Sequence, residues 1–319
     1  MTAKGFGDLQ VGILPQAKLS DYTTFQLGGP CPRLILCQAP AQLRSVVRQL
    51  LEEKLPFILI GGGSNLVISD RGLDCIVVRY CSPTPLIERQ GYDLLVSGST
   101  SLDSLALFAI NEGLEGLTYT SGIPGTVGGA IVGNAGAFGK QVGDMMKEVT
   151  VITRQGQEKK YGPGECGFSY RHSRLKETGD IVVETVFGLK QGHSFQMMHE
   201  RQEILATRKE KHPDLKEYPC AGSFFRNIEP TSSAGKRQAA GWFLDQAGGK
   251  DLSVGGAYIF PKHANIIVKG KGCRAQDVFD LHLQMKRLVK EKFDLDLVRE
   301  VRFVGDFLGK PQEEQSAIW

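Results

Sequence analysis

The stretch FILIGGGSNL, residues 57–66, decides the fold of this chain. Its first four residues are apolar, which predicts a short buried strand at 57–60. Three glycines and Ser64-Asn65 follow at once. Because glycine tolerates positive φ and has no Cβ, successive N–H groups can point into one concavity that holds phosphate oxygens. A tight turn capped by Asn65 is the competing interpretation of the same residues.

A second glycine-rich region covers SGIPGTVGGA at 121–130 and GNAGAFG at 133–139. These residues offer too little side chain to form the core of a strand, so they favour a backbone wrapped against a flat, extended ligand. Neither loop matches the GxGxxG dinucleotide fingerprint. The segment 133–140 is too long for a phosphate-binding P-loop, and Gln141 stands where Ser or Thr would ligate magnesium. We therefore reject a nucleoside triphosphatase.

Apolar periodicity around these loops predicts a mixed α and β fold with at least two domains. Ser101 and Gly113 are suitable N-cap and C-terminal residues for one of the helices. The predicted helices cover residues 40–55, 102–112, 195–211 and 276–293. The predicted strands cover residues 57–60, 76–79, 94–97, 149–153, 181–189, 264–268 and 295–304.

Composition excludes several classes of protein. The 319 residues are 41% hydrophobic and 23% charged, which is ordinary globular composition. The net charge is +3, and the sequence has no stripe of basic residues, so nothing in it indicates nucleic-acid binding. Seven scattered cysteines without a CxxC pair indicate reduced thiols, and no apolar run is long enough to span a membrane. We expect a soluble cytoplasmic protein, and the histidines show no metal-ligand spacing.

The stretch CAGSFFRN, residues 220–227, has no simple packing explanation. Its small neighbour Gly222 lets a ligand approach the hydroxyl of Ser223, and the two phenylalanines exclude water. Arg226 and Asn227 can hold an anionic group. A few polar groups converging in an apolar setting are typical of a ligand site.

Taken together, these segments resemble a known family of flavoenzymes, the UDP-N-acetylenolpyruvoylglucosamine reductases of bacterial peptidoglycan synthesis. The resemblance runs in order through most of the chain, which is far more specific than any single motif. Its segments are TTFQLGG (23–29), GGGSNL (61–66), IPGTVGGA (123–130), GNAGAFG (133–139), YRHS (170–173), AGSFFRN (221–227), KHAN (262–265) and REVRF (299–303). The short interval between Arg171 and Ser223 resembles the class that lacks a substrate-covering insertion.

The resemblance implies an α+β fold: a two-lobed FAD-binding unit of the vanillyl-alcohol-oxidase type, and a smaller substrate domain. The expected lobes are residues 18–83 and 84–200, followed by a substrate domain at 201–307 and a tail at 308–319. It implies FAD and NADPH as cofactors, a UDP-sugar substrate and a monomer. The implied cofactor-binding residues are Gly61, Gly62, Gly63, Ser64, Asn65, Leu66, Ser121, Gly122, Ile123, Pro124, Gly128, Gly129, Asn134, Ala135 and Gly136.

Three residues match the catalytic set of this family. Ser223 would donate a proton, Arg171 would clamp the substrate carboxylate, and Glu300 would complete the site. A guanidinium pairs with both carboxylate oxygens and is always charged, and a well-placed hydroxyl can protonate a strongly basic carbon. Taken singly, Arg171 could simply be exposed and Glu300 could form cross-strand charge pairs.

The substrate-binding residues implied in the same way are Tyr170, Arg226, Asn227, Lys262 and His263. For His263 a buried or surface role is nearly as good an interpretation. The alternatives are another FAD oxidoreductase of the same fold and a flavin or nucleotide-sugar binder without turnover. The former would not need all three catalytic residues together, and a binder has no use for a proton donor.

Overall fold

The computed structural model describes residues 9–230 and 236–309. The first unit is a four-stranded sheet with one helix, in the order β1-β2-β5-β3. Strands β2, β5 and β3 are parallel, and β1 joins β2 antiparallel. Its elements are β1 (Gly12–Lys18), β2 (Pro30–Cys37), α1 (Pro40–Glu52), β3 (Phe57–Ile60), β4 (Leu66–Ile68) and β5 (Ile76–Tyr80).

The sequence pattern of this unit explains its sheet and helix. Buried parallel strands need apolar side chains on both faces, and β3 has them at the predicted bounds, which confirms that strand. Helix α1 buries Leu43, Val46, Val47 and Leu50 at helical spacing. It ends before the predicted residue 55 because the chain turns at Lys54, where φ is 51°.

The second unit is a five-stranded antiparallel sheet in the order β12-β11-β13-β7-β6, with helices packed against it. Ser101 accepts a hydrogen bond from the N–H of Ser104, and Gly113 has a φ of 68°, which confirms both predicted ends of α2. The elements are β6 (Ile87–Gln90), β7 (Asp93–Ser97), α2 (Leu102–Asn111), β8 (Leu114–Glu115), α3 (Val127–Gly133), β9 (Gly136–Ala137), β10 (Lys140–Gln141), β11 (Met146–Ile152), β12 (Glu158–Tyr161), α4 (Pro163–Cys166), α5 (Arg174–Thr178), β13 (Ile181–Gly188), β14 (Lys190–Gln191) and α6 (Ser194–Lys211).

Two features of the second unit were not expected from the sequence. The glycine-rich region contains α3, a two-turn helix whose buried residues are Val127, Ala130 and Ile131. Helix α6 runs through the expected domain boundary at residue 200 and packs against α2. The predicted helix 195–211 is confirmed, but it lies against the second lobe.

The C-terminal unit is a four-stranded antiparallel sheet in the order β15-β18-β17-β16, covered by α8. Helix α8 confirms the predicted helix 276–293. The predicted strand 264–268 begins two residues later, because Ala264 and Asn265 lie in a turn. The elements are β15 (Cys220–Ser223), α7 (Ala240–Gln246), β16 (Ser253–Val254), β17 (Ala257–Ile259), β18 (Ile266–Lys269), α8 (Ala275–Phe293) and β19 (Arg302–Val304).

The predicted final strand at 295–304 is wrong in its length. Only β19 is a strand, and it pairs in parallel with β4 of the first unit. The residues before it instead bond to the segment after β15: the N–H of Glu300 donates to the carbonyl of Phe224 at 2.8 Å. Val298, an apolar position of the predicted pattern, is 58% exposed. This path carries residue 300 past the end of β15 and back to the first glycine loop. The predicted tail lies outside the described residues from position 310 onward.

Candidate active site

A single cleft of about 940 Å³ lies where the three units meet. Both glycine loops line it, and so do Ser223, Arg171 and Glu300. Of the predicted cofactor-binding residues, those on its wall are Gly61, Gly62, Gly63, Ser64, Asn65, Leu66, Gly122, Ile123, Pro124, Gly128, Gly129, Ala135 and Gly136.

The two glycine loops approach each other too closely for larger residues. A Cβ on Gly61 would lie 2.4 Å from Oγ1 of Thr126, and one on Gly125 would lie 2.7 Å from Oγ of Ser64. The hydroxyl of Ser64 donates to the carbonyl of Pro124 at 3.0 Å, which ties the loops together. Much of the wall formed by the two loops is therefore glycine backbone, which suits a phosphate-bearing, flat ligand such as FAD.

Two predicted cofactor-binding residues turn their side chains into the protein instead. Ser121 is fully buried, and its hydroxyl donates to the carbonyl of Thr118 at 2.6 Å. Asn134 ends α3 with a φ of 45°, and its amide donates to the carbonyl of Ser169 at 2.8 Å. Their side chains shape the loops and do not line the cleft.

The three catalytic candidates are brought together by different elements. Ser223 is the last residue of β15, after Gly222 with a φ of 76°. Arg171 lies in the turn before α5 with a φ of 55°, and its Nε is 3.3 Å from Oε1 of Glu300. The carbonyl of Glu300 accepts a hydrogen bond from the side-chain amide of Asn65 at 3.2 Å. Glu300 thus links Arg171 to the first glycine loop.

Positive side chains surround the one carboxylate of this group. Burial raises the pKa of Glu300, and the charges of Arg171, Lys176 and Arg226 oppose this shift. Burial lowers the pKa of Lys176 to about 8, with further lowering by Arg226 and Arg302. The cleft wall is therefore built to receive negative charge.

The predicted substrate-binding residues divide into two groups, neither of which lines the cleft. Tyr170, Arg226 and Asn227 lie together beside it, with the Tyr170 hydroxyl accepting from the N–H of Asn227 at 3.3 Å. The buried Nε of Arg226 has no hydrogen-bond acceptor among the described residues. The side chain of Asn227 accepts from the N–H of Ala240, at the start of α7.

Lys262 and His263 form the second group, in the turn before β18. Lys262 is exposed. The ring of His263 lies 5.7 Å from that of His212, which lines the cleft. Burial and the neighbouring His263 lower the pKa of His212 to about 4, so His212 is neutral near pH 7. His263 therefore lies behind His212, outside the residues that line the cleft.

Sequence reasoning missed several basic or titratable residues on the cleft wall, among them Lys176, Arg208 and His212. Arg208 lies against Gly122, whose added Cβ would be 3.0 Å from Cδ of Arg208. The pKa of Arg208 is lowered by burial and by Arg171, so two guanidinium groups converge here. In the sequence, Arg208 belongs to a run of alternating charges that is typical of a solvated helix face. Lys176 had the better signal, because it closely follows the motif that contains Arg171.

Comparison with known proteins identifies the family. A model described as "FAD binding domain" matches residues 32–162, and one described as "UDP-N-acetylenolpyruvoylglucosamine reductase, C-terminal domain" matches residues 213–304. A protein of that name from Lactobacillus acidophilus is 36% identical over 92% of this chain and 96% of its own length. The chain belongs to the UDP-N-acetylenolpyruvoylglucosamine reductase family.

Other members of the family extend this result. The reductase of Carboxydothermus hydrogenoformans is 35% identical over 92% of this chain and 94% of its own. The solved reductase of Thermus caldophilus is 32% identical, with a TM-score of 0.74 over 92% of this chain and 98% of that one. The predicted α+β fold, an FAD-binding unit with a smaller C-terminal domain, is thereby confirmed, and the resemblance found in the sequence is confirmed with it.

Within residues 9–230 and 236–309, no helix is both long and apolar enough to cross a bilayer. In the same residues, no group of three or more His, Cys, Asp or Glu side chains could hold a metal ion.

Proposed function

We propose that this member of the family is an FAD-dependent reductase that uses NADPH to convert UDP-N-acetylglucosamine enolpyruvate into UDP-N-acetylmuramate. This reaction belongs to peptidoglycan synthesis, and we place it in the cytoplasm, carried out by a monomer. The observation that carries the proposal is the convergence of Ser223, Arg171 and Glu300 on one glycine-walled cleft. Membership of the reductase family supports the same conclusion.

The fit of the cofactor rests on the glycine loops. Gly61 to Asn65 would hold the diphosphate of FAD, and the second glycine region would line its ring system, because the glycines of both loops present backbone to the cleft. When bound, FAD supplies the hydride chemistry that protein side chains lack.

Arg171 and Glu300 act on the substrate carboxylate. Reduction of a double bond beside a carboxylate builds up negative charge that the carboxylate shares. A guanidinium can pair with both of its oxygens, and Glu300, 3.3 Å from Nε, keeps that guanidinium in place. Loss of one such stabilising donor costs on the order of 3 kcal/mol of transition-state stabilisation.

Ser223 supplies the proton. Its hydroxyl stands on the cleft wall between Gly222 and the fully buried Phe224, so the position of the side chain is fixed by its neighbours. Protonation of a strongly basic carbon depends more on placement than on a shifted pKa. A hydroxyl at this place is sufficient.

An anaerobic mixing experiment tests the function. NADPH added to the yellow protein should bleach the flavin absorbance, and the enolpyruvyl UDP-sugar should restore it, with one equivalent of UDP-N-acetylmuramate formed. Recovery with an alcohol or sugar oxidation product, and none with the enolpyruvyl compound, would indicate a different FAD oxidoreductase. A yellow protein that NADPH does not bleach, and that the UDP-sugar leaves unchanged, would indicate a binder.

A further inference from the structure

Lys176 is a cleft-lining amine that the reaction described above does not use. It lies on α5, five residues after Arg171, and half-buried in the wall that also carries Glu300 and Arg302. Two contacts anchor helix α5 to the rest of its unit. Leu175 is buried, and the hydroxyl of Ser173, just before the helix, donates to the carbonyl of Val132 at 2.7 Å. Lys176 therefore extends from a fixed support into the cleft.

The amine of Lys176 has no partner of opposite charge in contact with it. No carboxylate of the described residues lies within 4 Å of Nζ, and Nζ makes no hydrogen bond to any of them. Glu300 is the acid whose charge acts on the pKa of Lys176, and it already faces Arg171. The other charges acting on it are cations of the C-terminal unit: Arg226, Arg299 and Arg302.

Acidic side chains on and beside the neighbouring elements already have partners: Asp180, which follows α5 and also lines the cleft, accepts a hydrogen bond from the hydroxyl of Tyr161 at 3.3 Å. On α5 itself, Glu177 pairs with His172 at 2.9 Å, and Arg174 lies over the ring of Tyr161. Helix α4 packs against α5, and its Glu165 caps α4 by accepting from the N–H of Gly162. The thiol of Cys166 is buried, and burial raises its pKa to about 11, so it stays neutral. Helix α3 has no ionisable side chain.

An unpaired ammonium group among other cations is costly to keep in a half-buried wall. A ligand oxygen that carries negative charge would remove this cost. We propose that Lys176 is a further substrate-binding residue, whose ammonium group contacts an anionic oxygen of the UDP-sugar. The inference rests on the proposed function. The carboxylate is the favoured hydrogen-bond acceptor, because Lys176 lines the same cleft as Arg171 and Glu300.

Binding of an anionic oxygen beside Lys176 should change the protonation of its amine. Burial, Arg226 and Arg302 hold the pKa of Lys176 at about 8 without ligand, so part of the amine is neutral at pH 8.5. An anion beside the amine favours its charged form. Binding of the UDP-sugar at pH 8.5 should therefore take up a fraction of a proton, which calorimetry detects as a dependence of the heat on the buffer's ionisation enthalpy.

Titration calorimetry on the FAD-loaded enzyme at pH 8.5, in two buffers, tests this with two ligands. UDP-N-acetylmuramate carries the carboxylate and the diphosphate, whereas UDP-N-acetylglucosamine carries only the diphosphate. Lys176→Met should weaken binding of the former about 10- to 100-fold, the usual cost of losing a hydrogen bond to a charged group, and should abolish proton uptake. Lys176→Arg, always charged, should restore most of the affinity without the proton uptake.

The controls separate the possible outcomes. Lys209→Met removes the same charge from an exposed part of the cleft wall and should leave proton uptake unchanged. Weaker binding of both ligands by Lys176→Met assigns the amine to the diphosphate, and weaker binding of UDP-N-acetylmuramate alone assigns it to the carboxylate; both support the proposal. Unchanged affinity and proton uptake overturn it, as does loss of FAD with unchanged sugar binding. Failure of the unmodified enzyme to bind either sugar would count against the proposed function instead.

Discussion

The hydroxyl of Ser223 owes its place to its two neighbours in sequence. A Cβ on Gly222 would meet no atom within 4 Å, so the space beside the hydroxyl is open to a ligand. Phe224 on the other side is fully buried and packs against Phe303 with ring centroids 6.0 Å apart. Gly222 leaves room for a ligand to reach the hydroxyl, and Phe224 holds the backbone in place. A proton donor needs both accessibility and a fixed position.

Replacement of Ser223 by Ala should separate the two halves of the reaction. The variant should keep its flavin and be reduced by NADPH at the normal rate, since the hydroxyl takes no part in that step. Turnover of the enolpyruvyl substrate should fall by about 100- to 10,000-fold. Stopped-flow absorbance measures both half-reactions, and Ser253→Ala, on the exposed edge of β16, is the control. Reoxidation at the normal rate would remove Ser223 from the mechanism.

Arg171 is held in a backbone conformation that few residues adopt. Its φ of 55° costs free energy for a residue with a Cβ, so the turn must be fixed by its surroundings. Arg171→Lys keeps the charge and loses the planar fork, so kcat for the reductase reaction should fall about 100-fold or more. Arg44→Lys changes a surface ion pair with Glu158 and should leave kcat unchanged. An equal effect of both substitutions would contradict the role of the fork.

At the level of single residues, the sequence predicted the site residues that lie in recognisable motifs. It missed the residues that reach the cleft only through tertiary packing. Ser223, Arg171 and Glu300 lie in motifs and meet at the cleft. Arg208 lies in a charge-rich helix, and nothing in the sequence shows that this face of the helix meets Gly122. Such contacts between distant segments depend on tertiary packing.

Among the elements, α2 and α6 are joined to the second glycine loop by one carboxylate. Asp103 of α2 accepts two hydrogen bonds from Arg201 of α6, at 2.6 and 2.8 Å, and one from the N–H of Gly122 at 2.7 Å. Arg201 is only 8% exposed. Asp103 therefore fixes both the loop that lines the cleft and the helix that carries Arg208.

Asp103→Asn should loosen this junction. Removal of one partner of a largely buried ion pair should lower the free energy of unfolding by about 2–3 kcal/mol, less than for a fully buried pair because Asp103 is partly exposed. The KM for the UDP-sugar should also rise, because Arg208 loses its support. Urea denaturation and steady-state kinetics measure the two effects. Asp93→Asn, in a surface pair with Lys147, should cost less than 1 kcal/mol and leave KM unchanged.

Apolar patterns in the sequence predicted helices and strands well where the element does not depend on which strand it pairs with. Helix α8 and strand β3 follow from their own residues. The last strand failed, because alternating apolar residues at 295–304 cannot show that residues 298–300 bond to the segment after Ser223. The same hydrogen bonds place Glu300 in the cleft. The largest error in the predicted elements therefore concerns a segment that contributes a candidate catalytic residue.

The whole molecule depends on contacts that join the C-terminal unit to the first lobe. Strand β19 pairs with β4, and both carboxylate oxygens of Asp70 accept hydrogen bonds from the N–H groups of Ala275 and Gln276 at the start of α8. Asp70 thus caps a helix in another unit. Because Glu300 lies just before β19, the stability of the C-terminal unit and the geometry of the cleft are coupled.

A buried histidine makes the stability of this assembly depend on pH. His282 of α8 is 3% exposed and packs against Phe279 and Phe303 beneath the Ser223 stretch. Burial lowers its pKa to about 4, although its bond to the carbonyl of Phe279 opposes the shift. In the unfolded chain a histidine has a pKa of about 6.5, so between pH 6.5 and 4 the unfolded state binds more protons than the folded state. Stability is therefore full above pH 6.5 and falls as the pH decreases toward 4.

The free energy of unfolding should be about 2 kcal/mol lower at pH 5 than at pH 7.5 through His282 alone. His282→Gln removes the titrating group, so the difference between the two pH values should shrink by that amount, even though the variant is less stable at both. His199→Gln, at an exposed position of α6, should leave the difference unchanged. Urea denaturation of each protein at the two pH values measures it. If the pH dependence of His282→Gln equals that of the unmodified protein, the proton is taken up elsewhere and His282 is not the group that links pH to the integrity of the C-terminal unit.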